Sequence, residues 1–264
     1  MPTRNEPWPQ GTPCWVDCQV DDTAAARRFY SALFDWDVVD SPPEAGGYLM
    51  AMRHGTPAAG IGPKPGGTTM PSVWTTYFAA DSADAVAERI TAAGGRTFMP
   101  PFDVLDLGRM FVAADPTDAA FGVWEAKAHN GAGVFNEPGA YCWNELHTRG
   151  FGPAQKFYAT VFGWAYTEIG DGENFVYSTF ALPTGGEPVG GINDSTKMPG
   201  ETPSYWLTWF QVADTDAALA RAGELGASVL MGPDASEFGR MGVVQGPQGE
   251  VFGLIDPTRT DNPE

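Results

Sequence analysis

A strand followed directly by an amphipathic helix occurs twice in the chain, in segments that begin at Trp15 and at Trp143. Alternate residues form one face in the first part of each segment, as in a β-strand. Apolar residues then recur at intervals of three and four, as in a helix, after Asp22 as the N-cap. The segments match at a spacing of 128 residues, most clearly in Phe29-Tyr30 and Phe157-Tyr158. This internal repeat requires a fold that contains the same strand–helix unit twice.

The repeat extends along each half of the chain. Trp74-Thr-Thr-Tyr-Phe matches Trp206-Leu-Thr-Trp-Phe, and Gly108-Arg-Met matches Gly239-Arg-Met, at offsets between 128 and 132. Each half also contains a second strand–helix–strands unit. We therefore expect two similar domains, at residues 1–130 and 131–264.

Composition excludes several classes of function. The 264 residues include 33 acidic and 15 basic side chains, a net charge of −18. Nucleic acid is therefore not an expected partner, because phosphate binding needs a basic surface. No apolar run approaches the ~20 residues of a membrane span, and no signal-peptide pattern is present, so we expect a cytoplasmic protein without membrane contact. Cys14 and Cys18 lie too far apart on one strand for a disulfide, which fits a reducing compartment.

The repeated motifs resemble those of the vicinal oxygen chelate superfamily, which includes glyoxalase I, extradiol dioxygenases and bleomycin-resistance proteins. The residues that carry the resemblance are Asp22, Phe29-Tyr30, Phe34-Asp-Trp36, Asp115-Pro116, Phe157-Tyr158 and Phe162-Gly-Trp164. The resemblance covers nearly residues 12 to 257 and implies an α+β fold of two tandem domains. Each domain would be a cupped mixed sheet of two βαβββ modules. The modules would span residues 12–65 and 72–126 in the first domain, and residues 139–195 and 203–257 in the second.

A narrower resemblance connects the chain with tandem glyoxalase-like proteins of actinobacteria, which are often labelled hydroxylases. It is carried by Trp15-Val-Asp, Trp143-Asn-Glu and the two Gly-Arg-Met motifs. Such proteins lie in polyketide gene neighbourhoods and among mycobacterial antigens. The resemblance therefore implies a role in secondary metabolism, although the function itself must be argued from the site.

The metal ligands of the superfamily are missing at the positions that the resemblance implies. Its metal-binding members carry His or Gln seven residues before the Asp that opens the helix, and Glu on the last strand. The corresponding positions here are Trp15, Thr75, Gly122, Trp143, Leu207 and Gly253. None of these is a good ligand for zinc, nickel or iron. We therefore expect neither a metal nor another cofactor.

Residues in phase with those positions are expected to face the concave side of each sheet. The first cup comprises Trp15, Asp17, Gln19, Thr75, Tyr77, Gly122 and Trp124. The second cup comprises Trp143, Glu145, His147, Leu207, Trp209, Gln211, Gly253 and Ile255. Aromatic walls suit a planar organic ligand, and the glycines are expected to leave space for it. We assign ligand binding to Trp15, Gln19, Tyr77, Trp124, Trp143, Trp209 and Gln211; packing of the tryptophans in a core is the alternative.

Glu145 and His147 are the candidates for acid–base catalysis, with Asp17 as their counterpart in the first cup. Glu145 and His147 share one face of a strand, and an apolar wall is expected to raise the pKa of Glu145. Asp17 is expected to have a wetter setting beside Thr75. Carboxylates held by backbone N–H groups, and a hydrogen-bonded histidine without a catalytic role, remain alternatives. A metal held by Glu145 and His147 would need a third ligand.

Arg109 and Arg240 recur in the Gly-Arg-Met motifs and are candidate ligand-binding residues. A guanidinium could hold a substrate carboxylate or enolate. The alternative is an ion pair with Asp106 or Glu237 on the same hairpin. His129 lies in a polar, turn-like stretch and gives no functional signal.

The sequence thus predicts a metal-independent protein that binds a planar, largely apolar, polyketide-like or aromatic small molecule. Acid–base chemistry of the isomerase, lyase or hydroxylase type is expected on that molecule. Sequestration of a drug or metabolite without conversion, as in bleomycin resistance, is the alternative, and the acidic charge would suit a cationic drug. A metal-dependent glyoxalase or dioxygenase is a third interpretation. The expected assembly is a monomer or a homodimer.

Overall fold

A computed structural model describes residues 3–66, 68–173, 175–198 and 202–260. The first half contains β1 (Pro13–Val20), α1 (Thr23–Phe34), β2 (Asp37–Asp40), β3 (Leu49–Arg53) and β4 (Thr56–Pro63). It continues with β5 (Val73–Ala79), α2 (Ala83–Ala92), β6 (Arg96–Thr97), β7 (Phe102–Val104), β8 (Gly108–Ala114) and β9 (Ala120–Ala126). A short 3-10 turn at Pro43–Ala45 precedes β3.

The second half repeats this order of elements. Its third module contains β10 (Tyr141–Thr148), α3 (Phe151–Phe162), β11 (Ala165–Gly170), β12 (Val176–Ala181) and β13 (Gly190–Asp194). Its fourth contains β14 (Tyr205–Gln211), α4 (Thr215–Glu224), β15 (Ser228–Ser236), β16 (Gly239–Gln245) and β17 (Val251–Asp256). The predicted α+β architecture of four strand–helix–strands modules is confirmed, with β7 as an additional short strand.

Each half forms one mixed sheet. Over the described residues, the first sheet has nine strands in the order β2-β3-β4-β1-β5-β9-β8-β6, with β7 beside β8. The second has eight, in the order β11-β12-β13-β10-β14-β17-β16-β15. The two modules of a sheet meet at an antiparallel pair, β1 with β5 and β10 with β14. The outer partners of these central strands run parallel to them.

The helices begin where the sequence indicates. Asp22 caps α1, because its Oδ1 accepts a hydrogen bond from the backbone N–H of Ala25 at 2.9 Å. The buried face of α1 consists of Ala26, Phe29, Tyr30 and Phe34. None of the helices in the described part of the chain is long and apolar enough to cross a membrane.

The core lies between the two sheets, and each half contributes helices to the sheet of the other. The ring of Phe34 in α1 lies 4.8 Å from that of Phe210 in β14. Phe162 in α3 lies 5.4 Å from Phe78 in β5. Helices and strands of both halves therefore share this core.

Candidate active site

A cavity of about 1370 Å³ lies over the second cup. Most of its wall comes from β10, β12, β14, β15, β16 and β17 and from the turn between β15 and β16. The first half also contributes, through Val73, Trp74 and Thr75 at the start of β5 and through Asp118 and Ala120. Side chains on this wall include Trp143, Glu145, His147, Tyr177, Tyr205, Leu207, Trp209, Gln211, Leu230, Met231, Phe238, Met241 and Ile255. Lys and Arg do not occur among the described residues that line this cavity. Its wall is therefore mainly apolar and aromatic, with a few polar groups.

Glu145 and His147 form a hydrogen-bonded pair on the cavity wall. His147 Nε2 lies 2.7 Å from Glu145 Oε1, and each residue is 8% exposed. The imidazole stacks on Tyr205, with ring centroids 5.0 Å apart and planes 7° from parallel. The predicted proximity of Glu145 and His147 is confirmed, and Tyr205 fixes the orientation of the imidazole.

A second contact holds the other oxygen of Glu145. Tyr177 donates to Glu145 Oε2 at 2.9 Å, and Trp143 Nε1 donates to the Tyr177 hydroxyl oxygen at 2.8 Å. We call this arrangement the Trp–Tyr–carboxylate chain. The Tyr177 hydroxyl fits because position 191 is glycine, where a Cβ would lie 1.9 Å from that oxygen. The carboxylate is therefore held from two sides.

The pKa of Glu145 is lowered, contrary to the raised value expected from its apolar surroundings. Burial by itself raises this pKa, but the hydrogen bond and the charge of His147, with further contributions from Trp209 and Tyr177, outweigh it. Glu145 is accordingly ionised at neutral pH. The proton of the short hydrogen bond then belongs to His147 Nε2.

The first cup repeats the Trp–Tyr–carboxylate chain. Trp15 Nε1 donates to the Tyr48 hydroxyl oxygen at 3.0 Å, and Tyr48 donates to Asp17 Oδ2 at 3.3 Å. Tyr77 also donates to Oδ2, at 3.0 Å. The prediction of a wetter setting for Asp17 is wrong, since the residue is 4% exposed. Burial raises the pKa of Asp17 to about 7, although the Tyr77 and Tyr48 hydrogen bonds lower it.

Side chains of the protein fill the first cup. The His129 ring lies edge-on to Trp15 at 4.6 Å and to Trp124 at 5.6 Å. Burial lowers the pKa of His129 to about 4. The candidate ligand-binding residues Trp15 and Trp124 therefore pack against His129, and Tyr77 donates to Asp17. Trp143, Trp209 and Gln211 line the cavity of the second cup.

The cup glycines do not leave the expected empty space. A Cβ on Gly122 would lie 2.1 Å from the ring of Tyr77, and one on Gly253 would lie 2.1 Å from the ring of Trp209. Each glycine is therefore required by the close approach of an aromatic ring of the neighbouring strand.

Three other candidate residues lie away from the cavity. Gln19 pairs in the sheet with Gly62 and Val73 and is not part of the cavity wall. Arg109 forms two hydrogen bonds with the carboxylate of Asp84, at 2.9 and 3.0 Å.

Arg240 binds Asp216 in the same way, with Nη2 2.8 Å from Oδ1. Asp84 and Asp216 lie in the first turns of α2 and α4. Both arginines therefore brace a helix start, instead of reaching a ligand or the predicted acidic partners Asp106 and Glu237.

Sequence reasoning missed Tyr48, Tyr177 and His129. The two tyrosines had a signal, because they recur at a spacing of 129 and each faces a glycine that recurs at a similar spacing, Gly60 or Gly191. His129 had none, since it belongs to the segment between the sheets and has no counterpart in the repeat.

The residues present do not fit a metal of the kind that the related proteins bind. In the sheet, Gly60 pairs with Asp17 in the first module as Gly122 pairs with Tyr77 in the second. Gly60 is therefore equivalent to the ligand position at Gly122, and Gly191, which pairs with Glu145, is its counterpart in the second half. These two glycines occupy the remaining ligand position of each cup. All eight positions thus lack a donor suited to zinc, nickel or iron. Within the described ranges, no three His, Cys, Asp or Glu side chains are grouped as metal ligands.

The sequence model of the Glyoxalase/Bleomycin resistance protein/Dioxygenase superfamily matches residues 14–124 and 148–254. The chain belongs to this superfamily. The two matched segments correspond to the two sheets, which confirms the tandem arrangement and the resemblance found in the sequence.

Two relatives in the superfamily match over almost the full length of the chain. CFP32 of Mycobacterium tuberculosis, provisionally named a glyoxylase, is 42% identical over 264 residues, covering 97% of this chain and 98% of the relative. The anthracycline biosynthesis protein DnrV of Streptomyces peucetius is 37% identical over 260 residues, covering 93% of each chain.

Among solved structures, the Mn(II)-bound glyoxalase from Novosphingobium aromaticivorans matches with a TM-score of 0.64. The match covers 95% of this chain and 86% of the other, at 17% sequence identity. At this identity, the likeness shows the fold alone.

Proposed function

We propose that the chain binds a planar, largely apolar molecule of the polyketide-like aromatic type in the cavity over the second cup, and transfers a proton on it without a metal. The observation that carries the proposal is the Glu145–His147 pair, which faces a cavity of about 1370 Å³ with aromatic walls. Pockets of this kind bind ligands through apolar walls and a few placed polar groups.

The walls support a flat aromatic ligand. Trp143, Trp209 and Phe238 surround the space above the carboxylate, and Leu230 and Met231 extend it toward the solvent. Two relatives, 37% and 36% identical, are named as anthracycline biosynthesis proteins. Anthracyclines contain fused aromatic rings, so these names agree with the ligand class that the cavity suits.

The ionised Glu145 supports a role as the general base. It would take a proton from an acidic C–H group of the ligand and return a proton from the resulting carboxyl group to the ligand, while the Nε2–H of His147 holds this carboxylate through its hydrogen bond. Tyr177 holds Glu145 in place through the second carboxylate oxygen. Metal independence is supported by the unsuitable side chains at the superfamily's ligand positions, which also disfavours a metal-dependent glyoxalase or dioxygenase.

Binding is tested with 1,8-dihydroxyanthraquinone, by titration against tryptophan fluorescence. The wild-type chain should bind it, and Met241→Trp should weaken binding because the larger side chain fills the cavity. Met99→Trp is the matched control, because Met99 is exposed and lies outside the cavity wall. Equal affinity of the two variants, or no binding by the wild type, contradicts the proposed site.

Chemistry is tested with anthrone under nitrogen in D2O, where proton transfer replaces the methylene hydrogens with deuterium.

Sequestration without conversion is the second candidate function. The absence of Lys and Arg from the described cavity wall favours it, because no fixed cation would stabilise an enolate. Protein-dependent deuterium uptake supports the enzyme; binding of the quinone without exchange in anthrone supports sequestration.

A further inference from the structure

The first cup has the wall of a binding site, although its own side chains fill it. The Trp–Tyr–carboxylate chain lines the cavity in the second cup and recurs in the first through Trp15, Tyr48 and Asp17. Aromatic rings also cover the equivalent glycines of both cups. The two cups therefore differ less in their walls than in what occupies them.

The occupant of the first cup is the imidazole of His129. This residue comes from the segment between the sheets, and its ring lies edge-on to Trp15 at 4.6 Å, with 88° between the ring planes. Its backbone is held at two points. The N–H donates to the carbonyl of Leu107 at 2.9 Å, and the carbonyl accepts from Trp124 Nε1 at 2.9 Å. The ring therefore occupies the cup as a tethered group that cannot slide along the wall.

Two polar atoms in this filled cup lack hydrogen-bond partners. They are Asp17 Oδ1 and His129 Nε2, and both are buried. Burying such atoms without partners is unfavourable, so the imidazole fills the space without satisfying the carboxylate. A free ring with an N–H or O–H group could adopt an orientation that the tether denies to His129, and donate to Oδ1.

We propose that the first cup is a second ring-binding site, which His129 occupies from within. A free single-ring aromatic with an N–H or O–H donor, of the imidazole or phenol class, displaces the His129 side chain and binds between Trp15 and Trp124. Because the internal ring competes with the ligand, the apparent affinity of the wild type is reduced by the small fraction of open cups. This site is independent of the function proposed for the second cup.

The test is the titration of imidazole into His129→Ala by calorimetry, at about pH 8, where imidazole is mostly neutral. The variant should bind one imidazole about tenfold more tightly than the wild type, or better, since the competitor is gone. Phenol should behave in the same way. Thiophene, a ring of similar size without a donor, should bind more weakly than imidazole because it leaves Asp17 Oδ1 unsatisfied.

The matched control is His54→Ala, which removes an exposed histidine in a turn and should leave imidazole affinity unchanged. Equal affinities of His129→Ala and His54→Ala overturn the proposal, as does equal binding of thiophene and imidazole. If His129→Ala does not fold, the wild type decides the question. In that case the NMR signals of the Trp15 and Trp124 indole N–H groups must shift when imidazole is added to the wild type. Unchanged signals overturn the proposal.

Discussion

His147 Nε2 lies 2.7 Å from Glu145 Oε1 on the wall of the larger cavity, and this contact reverses the effect of burial on the carboxylate. A buried carboxylate with apolar neighbours would bind a proton more strongly than in water. The adjacent imidazole instead favours the ionised form. The site thus holds an ionised carboxylate in a dry environment. The lowered pKa keeps it ready to accept a proton but also makes it a weaker base than a carboxylate whose pKa burial had raised.

Glu145→Gln should slow deuterium uptake into anthrone by roughly 10²–10⁴-fold, the usual effect of losing a general base. The amide keeps the size of the side chain but cannot accept a proton. NMR of the methylene signal measures the rate. Asp17→Asn is the control, and its effect should be on stability or on binding in the first cup. A larger loss of exchange in Asp17→Asn would assign the chemistry to the first cup.

Stability should fall as the pH rises from about 4 to 7, because of Asp17. Its pKa is about 7 in the folded chain against 3.8 for an unperturbed aspartate, so the folded state binds the extra proton across this range. At about 1.4 kcal/mol per pKa unit, the difference amounts to at most roughly 4–5 kcal/mol. Chemical unfolding at pH 5 and pH 8 should show the part of this loss that falls between them, about 3 kcal/mol, in the wild type and much less of it in Asp17→Asn. Identical pH dependence in the two proteins would contradict the assignment.

Gly253→Ala should weaken anthraquinone binding and lower the free energy of unfolding by about 1–3 kcal/mol. The added Cβ would lie 2.1 Å from Trp209, so the ring must move into the cavity. Gly122→Ala makes the same steric demand on Tyr77 in the other cup. It should be destabilising too, but leave anthraquinone affinity unchanged. Calorimetric titration and thermal unfolding of both variants check the two expectations.

Arg240→Met should lower the melting temperature slightly and leave anthraquinone affinity intact. The guanidinium braces Asp216 at the start of α4 and lies outside the cavity wall. Arg109→Met should behave in the same way, because Arg109 braces Asp84. Loss of binding in Arg240→Met alone would show that this arginine reaches the ligand after all.

The fold could be predicted because it depends on local patterns that the chain shows twice. Asp22 marks a helix start, and the alternation after Trp15 marks a strand, whatever surrounds them. The direction of the pKa shift of Glu145 could not be predicted in this way. It depends on the distance between Glu145 Oε1 and His147 Nε2, which the side-chain rotamers determine. The filling of the first cup depends on the path of an irregular segment, and periodicity carries no information about where His129 would lie.

The two halves, predicted to divide at residues 130 and 131, should not fold as isolated chains. In the first half, Tyr30 in α1 donates to Glu250 at 2.9 Å, and Trp36 Nε1 donates to the carbonyl of Gly139. Both acceptors belong to the second half. Separation would expose these groups and the aromatic rings around them to water. Each half would then lose much of the free energy that burial of its apolar core contributes to folding.

Residues 1–130 and 131–264, expressed separately, should therefore show broad unfolding transitions and weak dispersion of their NMR signals. Mixing them should restore a cooperative transition, because the two surfaces are complementary. Phe210→Ala in the second fragment removes a ring that lies 4.8 Å from Phe34, and it should impair this reassembly. Leu230→Ala, an exposed residue at the cavity, is the control and should not. A first fragment that unfolds cooperatively by itself would show that the shared core is dispensable, and that each half is a domain in its own right.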